Sequence, residues 1–164
     1  MQRAIIAGRA LGAGLLLAAA WFASPALASR MDDSEALRIS QAAIGRTLGG
    51  HTLTAADGTP VTLEQLRGRP VVLSFIYTSC YQVCSGLTLR LRETVKVAHE
   101  ALGPESFAVV TVGFDTPNDT PERMRLYARE RGATLPGWTF ASADAATIER
   151  LARDAGFTYF ASPK

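Results

Sequence analysis

The pattern of apolar and polar residues predicts alternating strands and helices. Residues 71–77 (VVLSFIY) and 107–114 (FAVVTVGF) are near-continuous apolar runs, which are typical of parallel strands buried on both faces. Between these runs, apolar residues recur every three or four positions, at Leu87, Leu91, Val95 and Ala98. This spacing predicts a helix that packs on the strands and ends at Gly103-Pro104.

The same approach predicts the elements on either side. Residues 51–54 and 61–63 flank Asp57-Gly58, a strong signal for a β-hairpin. Residues 119–122 (DTPE) predict the start of a helix that ends near Gly132, with Asp119 assigned to capping. A short strand at 137–140 and an amphipathic helix at 144–155, capped by Gly156, complete the pattern.

The order of these elements is a hairpin followed by three alternations of strand and helix. That order predicts an α/β layered domain with a mostly parallel sheet, spanning residues 50–164. Residues 29–49 are polar and small, with one modest helical pattern, and are predicted to be a linker. No internal repeat or low-complexity tract interrupts the chain.

Residues 1–28 are predicted to be a secretory signal peptide. They combine Arg3 and Arg9, an apolar run from Ala10 to Phe22, and an Ala26-Leu27-Ala28 cleavage motif. An uncleaved membrane anchor is the alternative, although the apolar run gives only about 20 Å of helix. Either interpretation places the domain outside the cytoplasm, where thiols can be oxidised.

The balance of basic and acidic side chains argues against some classes of binding partner. The 164 residues contain 17 basic and 15 acidic side chains, and 48% of them are hydrophobic, enough for a buried core. Arg3 and Arg9 lie in the predicted signal, so the remaining chain has 15 basic and 15 acidic side chains and is neutral. A neutral domain has no overall field to attract nucleic acid or an anionic membrane.

Cys80 and Cys84 are the candidate chemical site. They lie where the first buried strand is followed by its helix, at the sheet edge where α/β proteins place their active sites. A four-residue spacing can bring both sulfurs to one side of the first helical turn, and the helix start favours thiolates. Two thiolates suit Cu(I) or a reversible disulfide. A structural disulfide or two inert thiols are the alternatives, and the placement favours a functional pair.

Residues 71–84 (VVLSFIYTSCYQVC) resemble the copper-site segment of the Sco/SenC family. Residues 112–122 (VGFDTPNDTPE) resemble the second signature of that family, and the hairpin and the final Gly156 to Lys164 segment are also similar. The resemblance covers about residues 45–164. It implies a thioredoxin-like three-layer fold with an N-terminal hairpin.

The resemblance also implies a function. Members of the Sco/SenC family are metallochaperones that deliver copper to the Cu(A) centre of cytochrome c oxidase. Cys80 and Cys84 would be both the copper ligands, holding Cu(I), and the redox-active pair, and Asp115 would lie on the loop facing them. The expected partner is oxidase subunit II or another copper protein, and the expected location is the periplasm, with or without an inner-membrane anchor.

The sequence departs from the family pattern at two points. Ser85 stands where the family usually has proline, and the histidine that completes the family's copper site, downstream of Ser-Pro-Lys, does not occur before Lys164. His51 lies in the first hairpin strand, and His99 is about 22 Å from Cys84 along one helix, so neither is a convincing third ligand. We therefore expect an incomplete Sco-like chain that lacks the last strands and helix.

Two other functions remain open at this point. The pair could belong to a thiol-disulfide oxidoreductase that keeps partner cysteines reduced, although such enzymes usually have two residues between their cysteines and this chain has three. A thiol peroxidase is a weaker variant of that idea. The chain could also be a truncated product without a function.

Overall fold

The computed structural model describes residues 33–160. The predicted signal peptide and the final Ser162-Pro163-Lys164 therefore lie outside the described residues. Within residues 33–160, no helix is both long enough and apolar enough to cross a bilayer.

A five-stranded sheet organises the domain, in the order β2-β1-β5-β4-β3. The strands are β1 (Thr52–Ala55), β2 (Pro60–Thr62), β3 (Val71–Ile76), β4 (Ala108–Gly113) and β5 (Trp138–Ser142). Strands β3, β4 and β5 are parallel, whereas β1 is antiparallel to both β2 and β5. The predicted hairpin and the mostly parallel sheet are confirmed. Gly58 has φ +88° and makes the hairpin turn.

Helices cover both faces of the sheet. They are α1 (Asp33–Gln41), α2 (Val83–Leu102), α3 (Pro121–Glu130) and α4 (Ala145–Ala155). Helices α2 and α3 pack on one face through Val95, Met124 and Tyr127, which contact Val109 and Phe140 of the sheet. Helix α4 packs on the other face, where its apolar side chains meet those of β1, β4 and β5. The result is the predicted three-layer α/β fold.

Local signals set most helix ends as predicted. Helix α2 ends at Gly103 (φ +88°), and α4 begins after Asp144, whose carboxylate accepts from Thr147 N, and ends at left-handed Gly156. The assignment of Asp119 to capping is wrong. Thr120 is the N-cap of α3 and accepts a hydrogen bond from Arg123 N, whereas the Asp119 carboxylate accepts from Thr78 and Asp115 instead.

Two predictions about burial need correction. Strand β3 is not buried on both faces: it pairs only with β4 within the described chain, and Val71 and Val72 are 38% and 40% exposed. Leu87 is exposed, whereas Thr88 is buried in its place. The buried stripe of α2 therefore begins at Thr88 and continues through Leu91, Val95 and Ala98 as predicted, while Leu87 lies on the surface.

Helix α1 lies within the segment predicted to be a linker. None of its residues is buried, but the segment after it contacts α4, where Arg46 donates to the Arg153 carbonyl at 3.0 Å. A Cβ atom on Gly156 would lie 2.6 Å from Cβ of Ala43. The close approach of these two segments therefore depends on glycine at position 156. The predicted boundary between linker and domain stays a prediction.

Candidate metal centre

The fold places both cysteines at the carboxyl end of β3. Cys80 lies in the loop after the strand and is buried, and Cys84 is the second residue of α2 and is half-buried. The backbone N–H of Cys84 donates to the Cys80 sulfur at 3.2 Å. This contact uses one of the N–H groups that a helix start leaves without an intrahelical partner. Both thiols are free in this structure, and the two side chains are close enough to interact with each other.

The surroundings make the two thiols chemically unequal. Burial disfavours a thiolate at Cys80, but hydrogen bonds from the Cys84 thiol and backbone, and from the Tyr77 hydroxyl, outweigh it and lower the pKa of Cys80. Burial raises the pKa of Cys84 to about 11, and the hydrogen bond to Cys80 adds to the effect. The hydrogen bond to Cys80 also raises the pKa of Tyr77. Cys80 is therefore the residue of the pair that ionises first.

A buried carboxylate joins the cysteine loop to the loop after β4. Asp119, only 1% exposed, accepts from Thr78 N at 2.8 Å and from Thr78 Oγ1 at 2.7 Å, and its second oxygen accepts from Asp115 N at 2.9 Å. Three donors therefore compensate the cost of burying this carboxylate. Thr78 is two residues before Cys80, so Asp119 holds the start of the cysteine loop against the neighbouring strand.

A second set of polar contacts surrounds the start of α2. Ser85 Oγ donates to the Cys80 carbonyl at 3.2 Å, and Thr88 Oγ1 donates to the Cys84 carbonyl at 2.8 Å. Arg131, at the C-cap of α3, donates to Ser85 Oγ. Thr88 and Tyr127 share a hydrogen bond of 3.0 Å. The first turn of α2 is therefore held from the side of α3.

The side chains of the other three residues considered in the sequence analysis contact different partners. The carboxylate of Asp115 accepts from Asn118 Nδ2 at 2.9 Å within its own turn. His51 is buried and its Nε2 pairs with Asp154 of α4 at 2.8 Å. His99 packs on Phe107, and its Nε2 is buried without a hydrogen-bond partner. The view that neither histidine is a third ligand remains a prediction, and the contacts of both are consistent with it.

The donor set at this site is two sulfurs. Within residues 33–160, no three residues among His, Cys, Asp and Glu cluster closely enough to hold a metal ion together. Two adjacent thiolates suit Cu(I), which is soft and accepts low coordination numbers, whereas Cu(II) prefers additional nitrogen or oxygen ligands. The residues that are present therefore fit Cu(I).

Sequence reasoning missed Asp119, Thr88, Arg131 and Tyr77 as members of this site. Asp119 followed by Thr-Pro has the appearance of a helix cap, and only its burial shows another role. The proximity of Thr88 to the cysteines could have been predicted, since it lies one turn after Cys84 on the same helix. Arg131 lies 46 positions from Ser85, so no local pattern links them.

Comparisons with known proteins agree with the fold and with the sequence resemblance. The profile of the SCO1/SenC family matches residues 40–162. A SCO1 protein homolog from Bacillus subtilis (strain 168) is 29% identical over 91 residues, which are 54% of this chain and 45% of that protein. The chain therefore spans less than half the length of this curated relative.

Solved structures show the same architecture. ScoI from Bradyrhizobium japonicum with copper bound is 25% identical, with a TM-score of 0.57 and coverage of 65% of each chain. A second structure is that of BsSco, a member of the Sco family of cytochrome c oxidase assembly proteins that has a disulfide switch. It is 23% identical, with a TM-score of 0.58 and coverage of 68% of this chain and 65% of its own.

The family profile covers most of the chain, including the cysteine loop and the Asp119 turn. The thioredoxin-like fold expected from the resemblance is confirmed by the sheet, the helices and the solved Sco structures. This chain belongs to the SCO1/SenC family.

Proposed function

We propose that this protein binds copper as Cu(I) through Cys80 and Cys84 and delivers it to the Cu(A) site of cytochrome c oxidase during assembly of the oxidase. The adjacency of two free thiols at the start of α2 is the single observation that carries the proposal. The copper-bound Bradyrhizobium ScoI and the description of BsSco as a cytochrome c oxidase assembly protein support it.

The residues around the pair would prepare it for the metal. Cys80 supplies the first thiolate, because its hydrogen bonds already lower its pKa. Cys84 has a pKa raised to about 11, so it would lose its proton as the cation binds and replaces the thiol hydrogen bond with a metal–sulfur bond. Asp119 would hold the loop at Thr78, two residues before Cys80, and Ser85 would hold the Cys80 carbonyl during this exchange.

The surface beside the pair fits a function that requires contact with a recipient protein. Tyr81 is 82% exposed and Val83 is 76% exposed, and they are next to Cys80 and Cys84 in the chain. Apolar side chains exposed close together, unlike single scattered ones, are typical of protein contact sites. We place delivery outside the cytoplasm, in the periplasm, with subunit II of the oxidase as the recipient.

Cu(I) titration of the reduced protein tests the proposal. We expect one equivalent of Cu(I) to bind to the wild-type chain, and Cys80→Ser and Cys84→Ser each to weaken binding more than about 100-fold, because each removes one of two covalent ligands. Thr94→Ala, an exposed hydroxyl change on the same helix, is the matched control and should bind normally. Equal Cu(I) affinity in the double Cys→Ser variant would overturn the proposal.

Thiol-disulfide exchange is the second candidate, because the lowered pKa of Cys80 also suits a nucleophilic thiol. This function predicts reduction of a disulfide substrate by the reduced protein, and loss of that activity in Cys80→Ser. A reduction potential below about −300 mV would mark the disulfide as inert and would exclude it.

A further inference from the structure

A cleft lies between the β-hairpin and helix α3, on the face of the sheet that α2 and α3 cover. Its volume is about 440 Å³, which is within the usual range of sites that hold small organic molecules. The hairpin turn forms one wall, the second half of α3 and the loop after it form the other, and β5 lies at the base. Because β4 separates β5 from β3 in the sheet, the cleft and the cysteine pair belong to different parts of the domain.

Small side chains line both walls of the cleft. Ala56 of the hairpin lies on one wall, and Ala128 and Ala133 lie on the other. Their methyl groups leave a gap that larger side chains would fill. At the base, the rings of Trp138 and Phe140 are stacked with their centres 5.4 Å apart and an angle of 16° between them. The inside of the cleft is therefore apolar and suits a flat apolar group.

Two arginines of α3 border the cleft. Arg125 and Arg129 are exposed and lie one helical turn apart on the side of α3 that lines it. Side chains at this spacing have their Cβ atoms about 5–6 Å apart. Within residues 33–160, neither guanidinium makes a hydrogen bond or an ion pair, whereas the guanidinium of Arg131 donates to Ser85. The N–H donors of Arg125 and Arg129 are therefore available to a ligand.

The acidic residues nearby leave this pair of charges in place. Asp57, on the opposite wall, accepts from Thr59 N at 2.9 Å and from Thr59 Oγ1 at 2.7 Å, so its carboxylate bonds within its own turn. Glu130 follows Arg129 in the chain, and its carboxylate pairs with Arg131 at 3.3 Å. The lining of the cleft therefore has two positive side chains and one negative one.

We propose that this cleft is a second ligand site, which binds a small organic anion with a flat apolar body. The body would lie between the alanine walls, over Trp138 and Phe140, and the anionic group would accept hydrogen bonds from Arg125 and Arg129. Guanidinium groups bind carboxylates and phosphates through pairs of parallel hydrogen bonds. The inference goes beyond copper binding and does not rest on it, because it concerns other residues.

Both halves of the site are needed for binding. The two guanidinium groups are exposed, so solvent and salt screen their attraction for an inorganic anion that makes no other contact. The apolar walls alone would accept a neutral molecule but would give no reason to prefer an anion. Selectivity for a molecule that has both parts is therefore the property to measure.

Fluorescence titration of the reduced, metal-free protein with anilinonaphthalene sulfonate provides the first test, since this probe combines a flat aromatic body with one anionic group. We expect one saturable site in the wild-type chain. Arg125→Met and Arg129→Met should each weaken binding about fivefold, and the double variant about twentyfold, because each guanidinium contributes hydrogen bonds to the sulfonate. Arg123→Met removes an exposed arginine of α3 that does not line the cleft and should bind normally.

A neutral probe separates the two halves of the site. N-Phenylnaphthylamine has the same aromatic body without the sulfonate, so it should bind more weakly and its affinity should stay within about twofold in the Arg125 and Arg129 variants. Ala56→Leu places a larger side chain in the cleft and should weaken both probes at least about tenfold. Inorganic phosphate at the same concentration should not displace the sulfonate probe.

Backbone amide signals in nuclear magnetic resonance spectra locate the bound probe. We expect anilinonaphthalene sulfonate to shift the signals of Ala56, Arg129 and Trp138. Shifts confined to the exposed Tyr81 and Val83 would overturn the inference, because they would place the probe beside the cysteines.

The absence of saturable binding in the wild-type chain would overturn the inference as well. So would equal affinity for the sulfonate probe in the folded double arginine variant. Circular dichroism verifies that each variant is folded. Should Ala56→Leu fail to fold, the comparison of the two probes in the arginine variants decides, since those changes are on the surface.

Discussion

Two identical side chains four residues apart, one in the loop after β3 and one at the start of α2, acquire opposite properties in this protein. Cys80 receives hydrogen bonds from Cys84 and Tyr77, which together outweigh its burial and lower its pKa. Burial and the hydrogen bond it gives to Cys80 raise the pKa of Cys84 to about 11. Burial and the donors around each sulfur thus decide which thiol ionises, and the position of Cys84 at the start of α2 does not make it the more acidic one.

Titration of the reduced, metal-free protein tests this asymmetry. On raising the pH, we expect the first thiolate to form at Cys80, since its pKa is lowered, while Cys84 stays protonated until the pH approaches about 11. In Cys80→Ala, the pKa of Cys84 should fall, because the neighbouring anion and the hydrogen bond to it are gone.

Ultraviolet absorbance of the thiolate measures both steps. The tyrosinate signal is followed separately at its longer wavelength and subtracted, because tyrosines such as Tyr77 ionise in the same range and Tyr77 itself is shifted by Cys80. An unchanged pKa of Cys84 in Cys80→Ala would contradict the coupling between the two sulfurs.

At the scale of elements, the close approach of β4 and the turn before α3 positions the Asp119 carboxylate. Gly113 is the last residue of β4, and a Cβ atom there would lie 2.6 Å from Asp119 Cβ and 2.8 Å from Met124 Sδ. Glycine at this strand end therefore gives Asp119 the space to reach Thr78. The cysteine loop depends in this way on a residue that lacks a side chain.

Replacement of two glycines tests this packing. We expect Gly113→Ala to lower the free energy of unfolding by about 1–3 kcal/mol, because the added methyl group must displace Asp119. Gly86→Ala is the matched control: position 86 lies in the first turn of α2 with no atom within 4 Å of its Cβ, so alanine should raise stability by about 0.5–1 kcal/mol. Urea unfolding measures both values. Equal stability of Gly113→Ala and wild type would show that the turn adapts at no cost.

At the scale of the whole molecule, the parallel strands bring the residues of the candidate site to one edge of the sheet. Strands β3 and β4 run in the same direction, so the loops that carry Cys80 and Asp115 leave the sheet side by side. Helix α3 then returns along the same face and brings Arg131 to the start of α2. The exposed Tyr81 and Val83 add apolar surface to this edge, next to the cysteine pair in the chain.

Transfer of Cu(I) to subunit II of the oxidase, the proposed recipient, tests that surface. We expect the Tyr81→Ser/Val83→Ser variant to transfer Cu(I) to subunit II at least about tenfold more slowly, because less apolar area is buried in the encounter complex. Its Cu(I) affinity should be unchanged. Val97→Ser, an equally apolar and exposed change further along α2, should transfer at the wild-type rate. Stopped-flow absorbance follows the transfer, and a normal rate in the double variant would place the contact elsewhere.

The sequence by itself determined the order of strands and helices from β1 to α4, the hairpin, most helix ends and the position of the cysteine pair. Each of these depends on residues a few positions apart: the apolar run of β4, the Asp57-Gly58 turn, and the four-residue spacing of Cys80 and Cys84. Local backbone preferences and side-chain periodicity are properties of short segments, so they can be recognised without the fold.

Only the tertiary structure decided which polar groups surround the thiols and which apolar residues are buried. The bond from Thr78 to Asp119 spans 41 positions and the bond from Arg131 to Ser85 spans 46, and the exposed edge at β3 depends on which strands neighbour it. The helical period alone was consistent with either Leu87 or Thr88 facing the core, and the packing of α2 against Tyr127 selected Thr88. Contacts between distant segments depend on how the layers pack, and this packing is a property of the whole chain.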